Sequence, residues 1–323
     1  MNIFYYKRHG NKLTITGLKE DVADTSIVIP ETIDGMPVVE IAEHAFRGTP
    51  LTNVWIGENI TKVDHSAFSD CHCLISVTWN THCEIPSCCF YNCTSMSKFD
   101  FSNVSTIGNL AFAESGLKGI FLPENIKTVG VQAFCGCIKL EKVIWNCFCE
   151  YIPSSCFTEC FELKHFDFTN VQRIGAGAFY KSGLQELYLP KNVKEIGVRA
   201  FAGCINLKQV HWNCECKEIP TQCFGGDSSL HYFDFVNVKK LQTQSFERSG
   251  LKEVSLNKGI EVGKFCFALC DSLEKVEWLS GRAIKGSIFE GCKNIKEIFI
   301  SDNVKSIEAS AFASSPNAEI AFI

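Results

Sequence analysis

The residues with the most obvious chemical potential are cysteines. "WNCFCEYIPSSCF", from Trp145 to Phe157, carries three of them, and nearly the same string returns 67 positions later as "WNCECKEIPTQCF". Cys-x-Cys pairs suggest a thiolate metal site or a redox centre. A second constellation, Cys71, His72, Cys73, His82 and Cys83, offers good ligand types within thirteen positions. A third, Asp100, Asp167 and Asp234, raises the prospect of paired carboxylates for acid–base work. Whether any of these does chemistry depends on the elements that position it.

Those elements are set by an internal repeat, the first thing to seek in such a chain. A phenylalanine recurs at Phe46, Phe68, Phe90, Phe112, Phe134, Phe157, Phe179, Phe201, Phe224, Phe246, Phe267, Phe289 and Phe312, always at intervals of 21, 22 or 23. Five residues before each stands an aliphatic, from Ile41 and Val63 to Ile284 and Ile307. After each Phe but the last comes an apolar triplet with strand spacing, such as Leu140, Val143 and Trp145. A longer period overlies this one: "FDFSNV", "FDFTNV" and "FDFVNV" begin at Phe99, Phe166 and Phe233, 67 apart. Three coils therefore form a larger unit, and the chain reads as one array. Residues 1–26, with two strands around a His-Gly-Asn turn, read as an amino-terminal β-hairpin cap. Residues 27–323 read as a solenoid continuous with it.

The repeat disposes of most of the chemistry. Coils stack at about 4.8 Å, so equivalent residues form ladders. Cys71, Cys93, Cys137, Cys160, Cys204, Cys270 and Cys292 share one inward position, three after the Phe. Cys89, Cys156, Cys223 and Cys266 share the small position before it. Cys149 and Cys216 stand where other coils have Ile or Val. All thirteen are expected to be buried, reduced, apolar fillers. The two Cys-x-Cys pairs lie three coils apart, about 14 Å, too far for one ion. In the Cys71 to Cys83 cluster strand alternation aims neighbours apart. No metal and no cofactor is expected.

Catalysis fares similarly. Asp100, Asp167 and Asp234 are also about 14 Å apart, beyond the reach of a carboxylate pair. The eight histidines share no coil position, and no phosphate loop, dinucleotide fingerprint or Gly-x-Ser-x-Gly occurs. The expectation is a protein that is not an enzyme. A net charge of -5 with scattered Lys and Arg gives no nucleic-acid footprint. No run approaches the roughly 18 apolar residues of a transmembrane helix, and the start lacks the apolar core of a secretory signal.

Written as a consensus, each coil is Leu-x-x-Val/Ile-x-Leu/Trp, often Pro, an Ile or Val, another aliphatic, Ala-Phe, then frequently Cys. This resembles the leucine-rich repeats of the BspA-like family, close to the treponemal type, and "IPETIDGMPVVEIAEHAF" matches that family's opening coil. The resemblance implies an α/β leucine-rich repeat solenoid of about 13 coils: a right-handed horseshoe or arc with a parallel sheet on its concave face and short turns or single-turn helices elsewhere. It also implies a binding role, with adhesion of microbes or parasitic protists to host proteins or cells as the family's association.

Outward positions of the strands supply the candidate interface. One column reads Trp55, Thr78, Asp100, Phe121, Ile144, Asp167, Tyr188, His211, Asp234, Ser255, Glu277, Phe299, and the adjacent one adds Tyr232 and His165. Trp55, Phe121, Ile144, Tyr188, Tyr232 and Phe299 place large apolar groups where water should be, punctuated by Asp100, Asp167 and Asp234. Aromatic anchors on a solenoid's strand face point to a protein partner. The expectation is a monomeric, surface-associated recognition protein. The alternative is an intracellular scaffold, which the many thiols and the missing signal favour. Sequons at Asn59, Asn92 and Asn103 suit the first reading.

Overall fold

The computed structural model describes residues 2–19, 24–281 and 283–323; residues 20–23 of the expected cap lie outside them. The chain divides into two compact units, Met1–Leu163 and Lys164–Ile323. Each is a stack of parallel β coils, about 14 turns in all among the described residues. Strands flank every repeat Phe, from Ser26–Val28 before Phe46 to Glu319–Phe322 after Phe312, so turns outnumber the thirteen Phe residues by one.

The first unit opens with an antiparallel hairpin, Phe4–His9 on Lys12–Leu18, whose second strand pairs in parallel with Met36–Ile41. The hairpin carries Leu13 and Ile15 into the interior, and Phe4 meets Phe46 edge-on at 6.4 Å. From there most coils contribute a four-residue strand, a two-residue strand, or both. In the first unit Asn53–Ile56 pairs with Ser76–Trp79, and Gly119–Leu122 with Lys142–Trp145. In the second, Glu186–Leu189 pairs with Gln209–Trp212, and Glu253–Leu256 begins a four-strand run through Lys275–Trp278, Glu297–Ile300 and Glu319–Phe322.

The core is the Phe ladder. Within the first unit successive rings from Phe46 to Phe157 stack 5.0 to 5.8 Å apart. Within the second, rings from Phe179 to Phe312 stack 5.3 to 5.8 Å apart. Each buried ring contributes about 1.5 to 3 kcal/mol of apolar burial. Offset stacking lets one ring per coil fill a space only a little deeper than the strand spacing.

The α/β expectation is corrected: the described residues contain no helix. The segment around each Phe alternates backbone handedness instead. Residues two before the Phe, such as His44, Ser66, Leu110 and Gln132, have φ of 54 to 58°. Residues two after it, such as Gly48, Asp70, Asn92 and Glu114, have φ of 58 to 67°. That alternation breaks any i to i−4 ladder and turns every second N–H towards the next coil. His44, Phe46 and Gly48 donate to the carbonyls of His65, Ala67 and Ser69 at 3.3, 2.8 and 2.9 Å. The turn is thus a second intercoil ladder, and it offsets the strain of left-handed non-glycine residues.

A further correction concerns the strands. The "FDF" coils form none: residues 97–101, 164–168 and 231–235 lack strand pairing. A Phe stands there where other coils place Val or Ile, and it packs against its own neighbour, Phe99 on Phe101 at 4.9 Å and Phe233 on Phe235 at 4.8 Å. The ring takes more room than a β-branched side chain. A single hydrogen bond to the following coil survives, as from Lys118 N to Ser97 O at 3.1 Å and from Lys252 N to His231 O at 3.1 Å.

Candidate functional site

Strand register builds the candidate surface. In the first unit Val28 pairs with Trp55 and Trp55 with Thr78, while Phe121 pairs with Ile144. In the second, Tyr188 pairs with His211, and Ser255, Glu277 and Phe299 follow one another. Residues on either side of each, such as Ile120 and Leu122 or Leu187 and Leu189, are buried. Strand alternation therefore aims the column outward.

Not all the candidates present themselves equally. Phe121, Tyr188 and Tyr232 are more than half exposed (54, 55 and 56%), and Ile144 is 39% exposed. Trp55 and Phe299 are only half-buried. The Trp55 indole lies back over Gly57, where a Cβ would meet ring atoms at 2.8 Å. Phe299 lies under the Lys275 ammonium, 5.2 Å from the ring centre. Tyr188 and His211 stack almost parallel, 4.3 Å apart and 10° from coplanar, and the buried Nε2 of His211 has no hydrogen-bond partner among the described residues. Tyr232 and Asp234 line a concavity of about 320 Å³ with Ser255, Lys275 and Glu277, at a coil of the second unit without strand pairing.

The three aspartates have local work to do. Asp100 Oδ1 accepts from the Ser102 N–H at 2.9 Å and from its hydroxyl at 2.5 Å. Asp167 repeats this with Thr169, and Asp234 accepts from Val236 N–H at 2.9 Å. Bonds from the Ser102 hydroxyl and N–H hold the Asp100 carboxyl below its usual range. Each accepts from the residue two positions on, as an Asx turn does.

The cysteine ladder differs from apolar filling. Cys71, Cys93 and Cys137 donate their thiols to the carbonyls of Phe46, Phe68 and Phe112 at 3.0, 3.2 and 3.2 Å. Cys204, Cys270 and Cys292 do the same for Phe179, Phe246 and Phe267. Where the position is not Cys it holds Thr49, Ser115, Ser182, Ser249 or Ser315, and hydroxyls touch neighbouring thiols, Ser115 Oγ to Cys137 Sγ at 3.3 Å. The position selects small side chains able to hydrogen-bond, a signal present in the sequence and missed by treating Cys alone. All 19 cysteines are free thiols, fifteen of them buried. Burial pushes Cys71 up, and Cys137 and Cys266 up to about 12, so these sulfurs are inert at neutral pH. The Cys-x-Cys segments are closed loops: the indole N–H of Trp145 donates to Cys149 O at 2.8 Å, and that of Trp212 to Cys216 O at 3.0 Å.

Asp227 is the exception on this ladder. It is fully buried, accepts from Cys204 N–H at 2.8 Å through Oδ1, and leaves Oδ2 without a partner among the described residues. Burial raises its carboxyl well above the usual range.

The Cys71, His72, Cys73, His82 and Cys83 set is not brought together. Cys71 points inward, and His72 Nδ1 lies 3.1 Å from Asn92 O. Among the described residues one other group does converge, Glu43, His44 and His65 on the first two turns. Sequence spacing hid it because the two histidines occupy different coil positions.

A model of the BspA-type leucine-rich repeat region matches residues 22–141, 83–208, 150–262 and 260–323. A leucine-rich repeat protein from Bacteroides ovatus is 21% identical at a TM-score of 0.65, covering 100% of this chain and 99% of its own. A leucine-rich cell surface protein from Faecalibacterium prausnitzii is 20% identical at 0.55, covering 100% and 93%. The pneumococcal vaccine antigen PcpA is 21% identical at 0.50, covering 100% and 80%. These likenesses carry the fold. No curated protein matches the sequence.

Proposed function

Because the chain belongs to the BspA-type leucine-rich repeat family, whose members are in general protein-binding repeat proteins without enzymatic activity, we propose that it recognises a protein partner through its strand face. The observation that carries this reading is the set of aromatic and aliphatic side chains held in water by strand register, with Phe121 beside Ile144 in one unit and Tyr188 on His211 in the other. A hydrogen-bonded strand fixes these side chains before binding, which lowers the ordering cost of association. Shallow, coil-spaced features suit an extended polypeptide better than a small molecule, which would take one enclosed pocket.

The finer proposal is a surface-associated, adhesin-like protein of a microbe or parasitic protist that engages host proteins. The F. prausnitzii likeness, named a cell surface protein, supports it. An intracellular interaction scaffold is the second reading, favoured by two observations. Nineteen free thiols suit a reducing compartment. The sequon side-chain amides are also engaged: Asn59 Nδ2 donates to Val38 O at 2.8 Å, Asn92 Nδ2 to Asp70 at 3.0 Å, and Asn103 Nδ2 to Trp79 O at 3.3 Å. A glycan there would displace bonds to the preceding coil. Changing Phe121 and Tyr188 together to Ser tests the binding face once a partner is isolated. Lost binding with an unmoved unfolding transition supports the proposal; full affinity in the double variant overturns it. Labelling of intact cells with an impermeant reagent separates surface from interior.

A further inference from the structure

Glu43 and His44 sit on the turn of one coil, Asp64 and His65 on the turn of the next. Glu43 Oε1 lies 3.0 Å from His44 Nε2 and 2.6 Å from His65 Nε2. The three side chains each bring a ligating atom within 4.8 Å of the other two, and the imidazole rings meet at 75° with centres 5.6 Å apart. We infer that Glu43, His44 and His65 form a surface site for a divalent transition-metal ion that ties the first two coils together.

Isolated carboxylate–imidazole contacts on a surface are common and worth little. Here two imidazoles from different coils converge on one oxygen, each through the same ring nitrogen. The backbone beneath them is fixed by intercoil bonds, from His44 N to His65 O at 3.3 Å, Asp64 N to Ile41 O at 2.9 Å and Phe46 N to Ala67 O at 2.8 Å. His65 also has a carboxylate behind it, with Asp64 Oδ1 3.8 Å from Nδ1. Such an outer carboxylate orients a ligating imidazole and leaves Nε2 for the metal. Asp64 is itself held by the Lys62 ammonium at 2.9 Å.

Metal–ligand bonds of about 2.0 to 2.2 Å place such donors roughly 3 to 3.5 Å from one another. The three side chains are exposed and can turn to close on an ion from their present separation of up to 4.8 Å. Two imidazoles and one carboxylate select zinc, cobalt, nickel or copper over calcium and magnesium, which prefer all-oxygen shells. Three protein ligands leave at least one position for water.

The probe is Zn2+ titrated by calorimetry, with Co2+ absorption reporting geometry. Expected is one ion per chain, and a higher unfolding midpoint with Zn2+. His44→Asn, chosen because Asn tolerates the left-handed backbone at φ 56°, and His65→Ala should each weaken binding at least tenfold and abolish the midpoint shift. His72→Ala should change neither. Unfolding without metal checks that the variants are folded. Binding that survives in His44→Asn and His65→Ala, or that disappears instead in Cys73→Ser, overturns the assignment, as does failure of the parent protein to bind.

Discussion

The thiol of Cys137 donates to the carbonyl of Phe112, one coil back, at 3.2 Å, and touches the Ser115 hydroxyl at 3.3 Å. A buried ladder of weak donors therefore runs beside the aromatic stack. Cys137→Ser, which keeps a donor of a kind the ladder already holds, should cost less than Cys137→Ala. The difference should be about 1 kcal/mol in urea unfolding, the worth of one buried hydrogen bond. Equal losses would restore the thiols to plain filling.

Asp227 should make stability depend on pH. Its folded carboxyl holds its proton to higher pH than the unfolded one, so the folded state binds more protons across that range. Its stability contribution is complete below the unfolded carboxylate range and is lost as pH rises towards the raised folded value. Asp227→Ser, matching the residue at this position in other coils, should raise the denaturation midpoint at pH 8 more than at pH 4. A larger gain at pH 4 would reverse the assignment.

The inside and outside of the coil differ in cost. Phe201→Ala removes a fully buried ring stacked between Phe179 and Phe224 and should cost about 3 to 5 kcal/mol. Tyr188→Ala should cost less than about 1 kcal/mol, because its ring is more than half exposed. Equilibrium unfolding of the pair checks the order.

Two glycines separate spacing from shape. A Cβ at Gly116 would sit 2.2 Å from Thr94 O, whereas one at Gly119 meets nothing nearer than Lys142 O at 3.9 Å. Gly116→Ala should lower stability by about 1 to 3 kcal/mol, the usual cost of overpacking, and Gly119→Ala should be near neutral. Thermal melts of both variants decide it.

What the sequence made legible was what repeats in side-chain type. Phe and the aliphatic five before it disclose the period, and the outward column follows from strand alternation. The handedness alternation left little trace, because its positions hold residues as different as His44, Leu110 and Gln132, and the intercoil hydrogen bonds that enforce it are backbone ones. Ala-Phe segments read in sequence as single-turn helices, which the intercoil backbone bonds replace. The lapse of strand pairing at Phe99 and Phe233 arises from ring size within an otherwise regular pattern. The Glu43, His44 and His65 cluster needed coil stacking in three dimensions.

On the proposed reading the strand face, rather than the turns, meets the partner. Its most direct test is site-specific photocrosslinking in the native cell, with a photoreactive phenylalanine placed in turn at Phe121, Tyr188 and Tyr232 on the strand face and at Lys139 and Glu162 in the turns after Phe134 and Phe157. A discrete adduct of the same partner is expected from the strand-face positions and none from the turns. Adducts confined to the turn positions would contradict it.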